Sequence, residues 1–204
     1  MLARISFASI LCVVLRGSAM EEGNSSMRPE PRGSIAVVPI GKIDPDLLSG
    51  ACGVVAETFQ RACRVAPSQA VVEGAFAERR HQYSAVTILR SIVPPEGVER
   101  SFGVVDVDLF VPDLNFVFGL AEGDRGVIAL PRLRAGAEVA NSSLLRQRVA
   151  KEAVHELGHT YGLGHCPNRR CVMAFSNSLY DTDVKSRAFC PVCRERLGLA
   201  VPTD

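Results

Sequence analysis

Tryptophan is absent from this chain, and aromatic residues make up only 6% of it. No stacking or membrane-interface role can rest on an indole. Charge of one sign is lacking too: 23 basic and 22 acidic side chains leave a net charge of +1. Nothing here would grip a phosphate backbone, so nucleic acid is not expected as a partner. The apolar run from Ile5 to Leu15 is too short to span a bilayer as a helix, so stable membrane insertion is not expected. There is no internal repeat. Histidine is scarce, with four in 204 residues, and three of them fall within eleven positions.

What is present suits one globular domain. The length allows a sizeable core, and 47% hydrophobic with 22% charged residues is ordinary composition. Residues 1–33 form an N-terminal extension. Arg4, the apolar run and Gly17-Ser18-Ala19 have the three-part layout of a secretory signal. The competing reading starts translation at Met20 or Met27. It is favoured here because a reduced thiol site suits the cytoplasm, with export as the alternative. Residues 21–34 are polar with Pro and Gly and read as a disordered lead-in.

Strands and helices then alternate. Ser34 to Ile40 predicts a strand. Asp44-Pro45 predicts a helix N-cap with Pro at the first position, and the helix runs to about Cys63. A strand is expected over Gln69–Phe76, a helix over Glu78–Val93, and a strand over Phe102–Val111 with Asp106 and Asp108 on one face. Leu114–Leu120 and Gly126–Leu130 predict two more strands around the turn at Glu122-Gly-Asp-Arg. Asn141-Ser-Ser caps a long helix through Leu163. The alternation implies an α/β fold, with an antiparallel edge among the last strands.

The chemistry concentrates in Val154-His155-Glu156-Leu157-Gly158-His159-Thr160-Tyr161-Gly162-Leu163-Gly164-His165-Cys166. On a helix, His155 and His159 leave the same face one turn apart and can share a metal. Glu156 lies about 100° round the axis, placed to reach a water on that metal without binding it. His165 is the only nearby third ligand. A continuous helix would carry it about 240° further round and about 9 Å along. The chain must therefore bend, and Gly162 is where a left-handed helix end is cheapest. Three imidazoles and one open position make a catalytic zinc site, with Glu156 as general base. His-Glu-x-x-His-x-x-Gly-x-x-His is the metzincin signature. His81 reads as a surface histidine and is assigned no role.

Seven cysteines, an odd count, fit poorly with a fully paired disulfide framework. Cys52 and Cys63 read as buried thiols, which suggests a reducing compartment. Cys166-x4-Cys171 and Cys190-x2-Cys193 have metal-ligand spacing, and four thiolates would close a structural zinc site. Two disulfides are the rival reading.

His155 to Cys166, then Cys171, Met173 and the pair Cys190/Cys193, closely resemble the signature of the archaemetzincins. These are metzincin-type peptidases that carry a second zinc on four cysteines. Asn115-Phe-Val-Phe-Gly and Phe175-Ser-Asn-Ser-Leu-Tyr-Asp-Thr-Asp are also similar to segments of that family. The likeness spans roughly residues 34–197, with the four-cysteine zinc subsite over 166–193 and a tail at 198–204. It implies an α/β metzincin-like fold, a twisted mixed sheet packed on an active-site helix, with a small C-terminal zinc subsite. It also implies two zinc ions per chain, one catalytic and one structural. By the same resemblance Met173 is the methionine of the turn beneath the catalytic metal, whereas the residue alone reads as core filler. An edge strand would pair with extended peptide, and both Leu114–Leu120 and Gly126–Leu130 qualify. Tyr161 and Tyr180 are candidates for oxyanion stabilisation, but a structural role is favoured for each. The expected protein is a monomeric zinc peptidase acting on a peptide or small protein. A zinc-stabilised peptide-binding module with little turnover and a hydrolase of non-peptide amides are the rivals. Intact Glu156 argues against the module.

Overall fold

The computed structural model describes residues 33–136 and 142–199. The signal-like stretch, both alternative start methionines, most of the lead-in, Asn141 and residues 200–204 lie outside the described residues.

Strand β1 (Ser34–Ile40) is buried on both faces, which explains an apolar run without alternation. Helix α1 (Pro45–Phe59) begins as expected, with the Asp44 side chain accepting from the Asp46 amide at 2.8 Å and Pro45 in its first turn. It stops at Phe59, not Cys63, because Gln60 turns left-handed at φ 54° and Cys63–Val65 (β2) is taken up as a parallel partner of β1. Cys52 and Cys63 are joined by a disulfide across a Cα–Cα distance of 5.6 Å. The expectation of two buried thiols therefore fails, and so does its share of the case for a reducing compartment.

The next segment also departs from its periodicity. Of Gln69–Phe76, Gln69 makes one parallel bridge to Ile40, and pairing resumes only in β3 (Phe76–Ala77). The expected helix over Glu78–Val93 is split. A 3-10 turn over Glu78–Arg80 ends at His81, which has φ 51°. Gln82–Ser84 (β4) then pairs with β3 and with Leu109–Phe110, and only Ala85–Ser91 (α2) is helical, capped by Ser84.

Val98–Val105 (β5) ends before the two aspartates, and Leu109–Phe110 (β6) follows them. Asp106 and Asp108 leave the sheet because they pair with Arg134 and Arg132. Gly119–Glu122 (β7) and Arg125–Ala129 (β8) form a hairpin around the expected turn. After a short helix, α3 (Leu130–Leu133), comes the long helix α4 (Ser143–Thr160), capped by Ser142 and ending three residues short of Leu163. The short helices α5 (Leu179–Val184) and α6 (Pro191–Arg196) complete the described chain.

The main sheet runs β2-β1-β5-β8-β7, parallel except for the antiparallel edge β7. Alternate residues of β1 enter different cores. Ile35 and Val37 pack with α1 and α4, while Ala36 and Val38 pack with α2 and the small β3-β4-β6 sheet. The α/β class with a mixed sheet on the long helix is therefore as expected. Among the described residues, no helix is long and apolar enough to cross a membrane.

One buried cation fastens α4 to its surroundings. The Arg148 guanidinium grips the Asp183 carboxylate through two bonds of 2.7 Å and donates to the Leu133 and Ala135 carbonyls. Replacing it by Ala strands all three partners. Arg148→Ala should lower the unfolding free energy by about 3 kcal/mol, read from urea unfolding curves.

Candidate metal centre

Helix α4 supplies the scaffold. His155 and His159 project from one face, with ring centroids 4.7 Å apart. The helix then ends in a Schellman turn. Gly162 has φ +84°, its amide donates to the His159 carbonyl, and the Leu163 amide reaches back to the Gly158 carbonyl at 3.1 Å. Glycine is required there by its positive φ. The reversal brings His165 to ring distances of 5.4 Å from His155 and 4.9 Å from His159. All three offer a ring nitrogen within 4.8 Å of the others. Phe175 packs edge-on against the half-free His165 ring at 5.0 Å.

The hydrogen bonds behind the rings settle which nitrogens face inward. His155 Nδ1 bonds the Val172 carbonyl and His159 Nδ1 bonds the Leu163 carbonyl, each at 2.8 Å. A carbonyl only accepts, so each Nδ1 carries the proton and each neutral ring keeps an Nε2 lone pair. Those two Nε2 atoms face each other at 3.1 Å. Two acceptors at that distance repel unless a cation lies between them, so the donor set fits a metal ion. Burial holds His155 well below the usual imidazole range, with Lys185 adding to the effect, and burial chiefly lowers His165 to about 4. Neutral rings are what a metal requires.

Glu156 is buried beneath the β7–β8 hairpin. Burial, reinforced by Glu152, pushes its carboxyl well above the ordinary range. A cation at the histidines acts in the opposite sense and favours the carboxylate. The hairpin approaches closely because it is glycine-lined. A Cβ at Gly119 would lie 2.6 Å from Glu156 Oε1 and 2.7 Å from the Val127 carbonyl oxygen. Below the helix, Met173 is fully buried, and a Cβ at Gly158 would run into its sulfur.

A second cluster lies close by in sequence. Cys166, Cys171, Cys190 and Cys193 are all free, with sulfurs within 4.8 Å of one another. The rival pairing into two disulfides is not formed. The Cys166 amide bonds the Met173 carbonyl at 2.8 Å, so this cluster and the loop below the histidines share a hydrogen bond.

The remaining sequence candidates sort plainly. Strand β8 is paired on both sides, so Gly126–Leu130 is not an edge; β7 is. The residues before β7 are loop, with the Asn115 carbonyl held by Gln82 and Arg80. The Tyr161 hydroxyl donates to Glu99, and Arg61 and Arg100 lie over its ring, which is a structural setting. Tyr180 is exposed. Sequence reasoning missed Gly119 and Gly126, although glycine inside a strand pattern signals close approach. It also missed Glu152, Thr182 and Lys185, whose burial has no mark in the sequence.

A mixed α/β sheet over a helix that bears a His-Glu-x-x-His site, extended by a third histidine past a glycine turn, defines a metzincin-type zinc metallopeptidase. The model of Peptidase family M54 matches residues 33–198. The archaemetzincin of Methanocaldococcus jannaschii is 38% identical over 167 residues, covering 80% of this chain and 92% of that protein. The archaemetzincin of Pyrococcus furiosus is 38% identical over 185 residues, covering 82% and 95%. Among solved structures, archaemetzincin from Archaeoglobus fulgidus, complexed with malonate, superposes with a TM-score of 0.71 at 36% identity, covering 80% of this chain and 99% of that one. The chain belongs to peptidase family M54, the archaemetzincins. It is a zinc metallopeptidase, a hydrolase.

The approach of β7 to Glu156 yields a test. Gly119→Ala should displace the carboxylate, and a misplacement of about 1 Å costs about a hundredfold in rate. Peptide hydrolysis should fall by that factor while metal content, measured by elemental analysis, stays unchanged.

Proposed function

We propose that His155, His159 and His165 hold the catalytic zinc of this peptidase and that Glu156 is its general base. The observation that carries this reading is the pair of Nε2 lone pairs facing each other at 3.1 Å in a partly buried site. When bound, zinc supplies a Lewis acid that activates water and polarises the scissile carbonyl. Glu156 takes the proton from the attacking water and delivers it to the leaving amine. Burial under the hairpin keeps bulk water from the carboxylate.

Substrate lies along β7, the outer strand on the Glu156 side of the sheet. An extended peptide adds to its free edge and is thereby set beside Glu156, over which Gly119 sits. Cys166, Cys171, Cys190 and Cys193 hold a second, structural zinc, and Met173 is the methionine beneath the catalytic one. The four free cysteines support a cytoplasmic protein. The Cys52–Cys63 disulfide supports the alternative of export.

Glu156→Gln should keep both metals and lose roughly 10²- to 10⁴-fold in cleavage of a peptide library. Elemental analysis should find two zincs per chain, one readily chelated and one resistant. Equal, negligible cleavage by the wild type and the variant, with both metals bound, would show a binding module instead.

A further inference from the structure

One face of α4 grips a single short segment of chain. Arg148, Lys151, Glu152 and His155 stand at spacings of three and four, so their side chains share that face. Arg148 holds the Asp183 carboxylate. Lys151 Nζ donates to the Thr182 and Asp183 carbonyls at 3.0 and 2.8 Å. Glu152 Oε1 accepts from Thr182 Oγ1 at 3.1 Å and from Lys185 Nζ at 3.0 Å. The Lys185 side chain is 0% exposed and that of Glu152 is 3% exposed. The lysine Nζ also stands 3.5 Å from His155 Nδ1, the nitrogen that donates to Val172.

A fully buried lysine is rare. Desolvating an ion pair costs about as much as the pair returns, and apolar residues of similar volume are often at least as stable. Fastening the segment to α4 does not require this pair, because Arg148 and Lys151 already do so. What distinguishes Lys185 is its place against the back edge of the His155 ring. The ammonium and the Nδ1 proton are both donors, so Lys185 makes no hydrogen bond to the ring; with the Val172 carbonyl it stands against the ring's Nδ1 side.

We propose that Lys185, held by Glu152 and Thr182, is a positioning residue that fixes the His155 ring at the metal centre. It touches neither substrate nor metal and acts through His155. The proposal rests on the reading of His155 as a zinc ligand. Partners behind a ligating histidine typically change metal affinity 10- to 100-fold when removed.

The test uses the double variant Glu152→Leu/Lys185→Met, which removes both charges and leaves neither one buried alone. Zinc affinity at the chelatable site is measured by competition with a chelator. The Tm of the zinc-depleted protein and the split of kcat from KM are measured alongside. The expected result is a Tm equal to or above that of the wild type, zinc held about 10- to 100-fold more weakly, and kcat reduced at unchanged KM. A lowered Tm with wild-type zinc affinity and kcat means the pair is merely structural and overturns the proposal. If the double variant does not fold, Thr182→Val removes only the hydroxyl that holds Glu152. It should weaken zinc severalfold, and wild-type affinity there overturns the proposal equally. Wild-type protein that binds no chelatable zinc overturns the zinc reading itself, and this one with it.

Discussion

The site depends on the reversal of the chain at Gly162. Two histidines on consecutive turns of α4 offer two ring nitrogens to one point, and a regular helix would carry the next residues away from it. The left-handed glycine, with the amides of Gly162 and Leu163 bonded back to His159 and Gly158, ends the helix and returns the chain past its own last turn. That return does two things together. It brings the His165 ring to 4.9 Å from the His159 ring, and it gives His159 Nδ1 a carbonyl partner at Leu163. The turn that delivers the third ring therefore also orients the second.

The rest of the fold supplies the walls. The β7–β8 hairpin lies on Glu156 because Gly119 and Gly126 have no side chains to hold it off. The loop through Val172 and Met173 closes the site from below, accepting from His155 and filling the space beside Gly158. The four-cysteine cluster is tied to that loop through the Cys166–Met173 hydrogen bond. The histidine cluster, the edge strand β7 and the cysteine cluster thus all adjoin the C-terminal half of α4 or the loop that follows it. Placing a buried carboxylate, three neutral imidazoles and a lysine–glutamate pair there is costly in isolation. The surrounding elements are held to α4 by Arg148, Lys151 and the core that α4 shares with α1.

Much of the centre was legible because its spacings are local. His155 and His159 are four apart on a helix, Gly162 follows at a helix end, and the cysteine pairs carry their own short spacings, so periodicity and turn chemistry suffice to read them. Ser34–Ile40 and the start at Asp44-Pro45 were legible for the same reason. The errors fell where distant partners overrode local preference. Residues 78–93 look helical, yet His81 turns left-handed and Gln82–Ser84 are taken into a sheet by Leu109–Phe110. Asp106 and Asp108 fit a strand pattern but answer to Arg134 and Arg132, more than twenty residues away.

The sequence by itself determined which side chains offer nitrogen and sulfur at metal-ligand spacing, and where the helix that presents the first two histidines has to break. Only the tertiary structure decided what stands around them. It made β7 an edge strand, joined Cys52 to Cys63, seated glycines over Glu156 and buried Lys185 behind His155. The physical reason is range. Helix caps, turns and ligand spacings act over a few residues, whereas edges, disulfides and buried charges exist only once the chain has closed on itself.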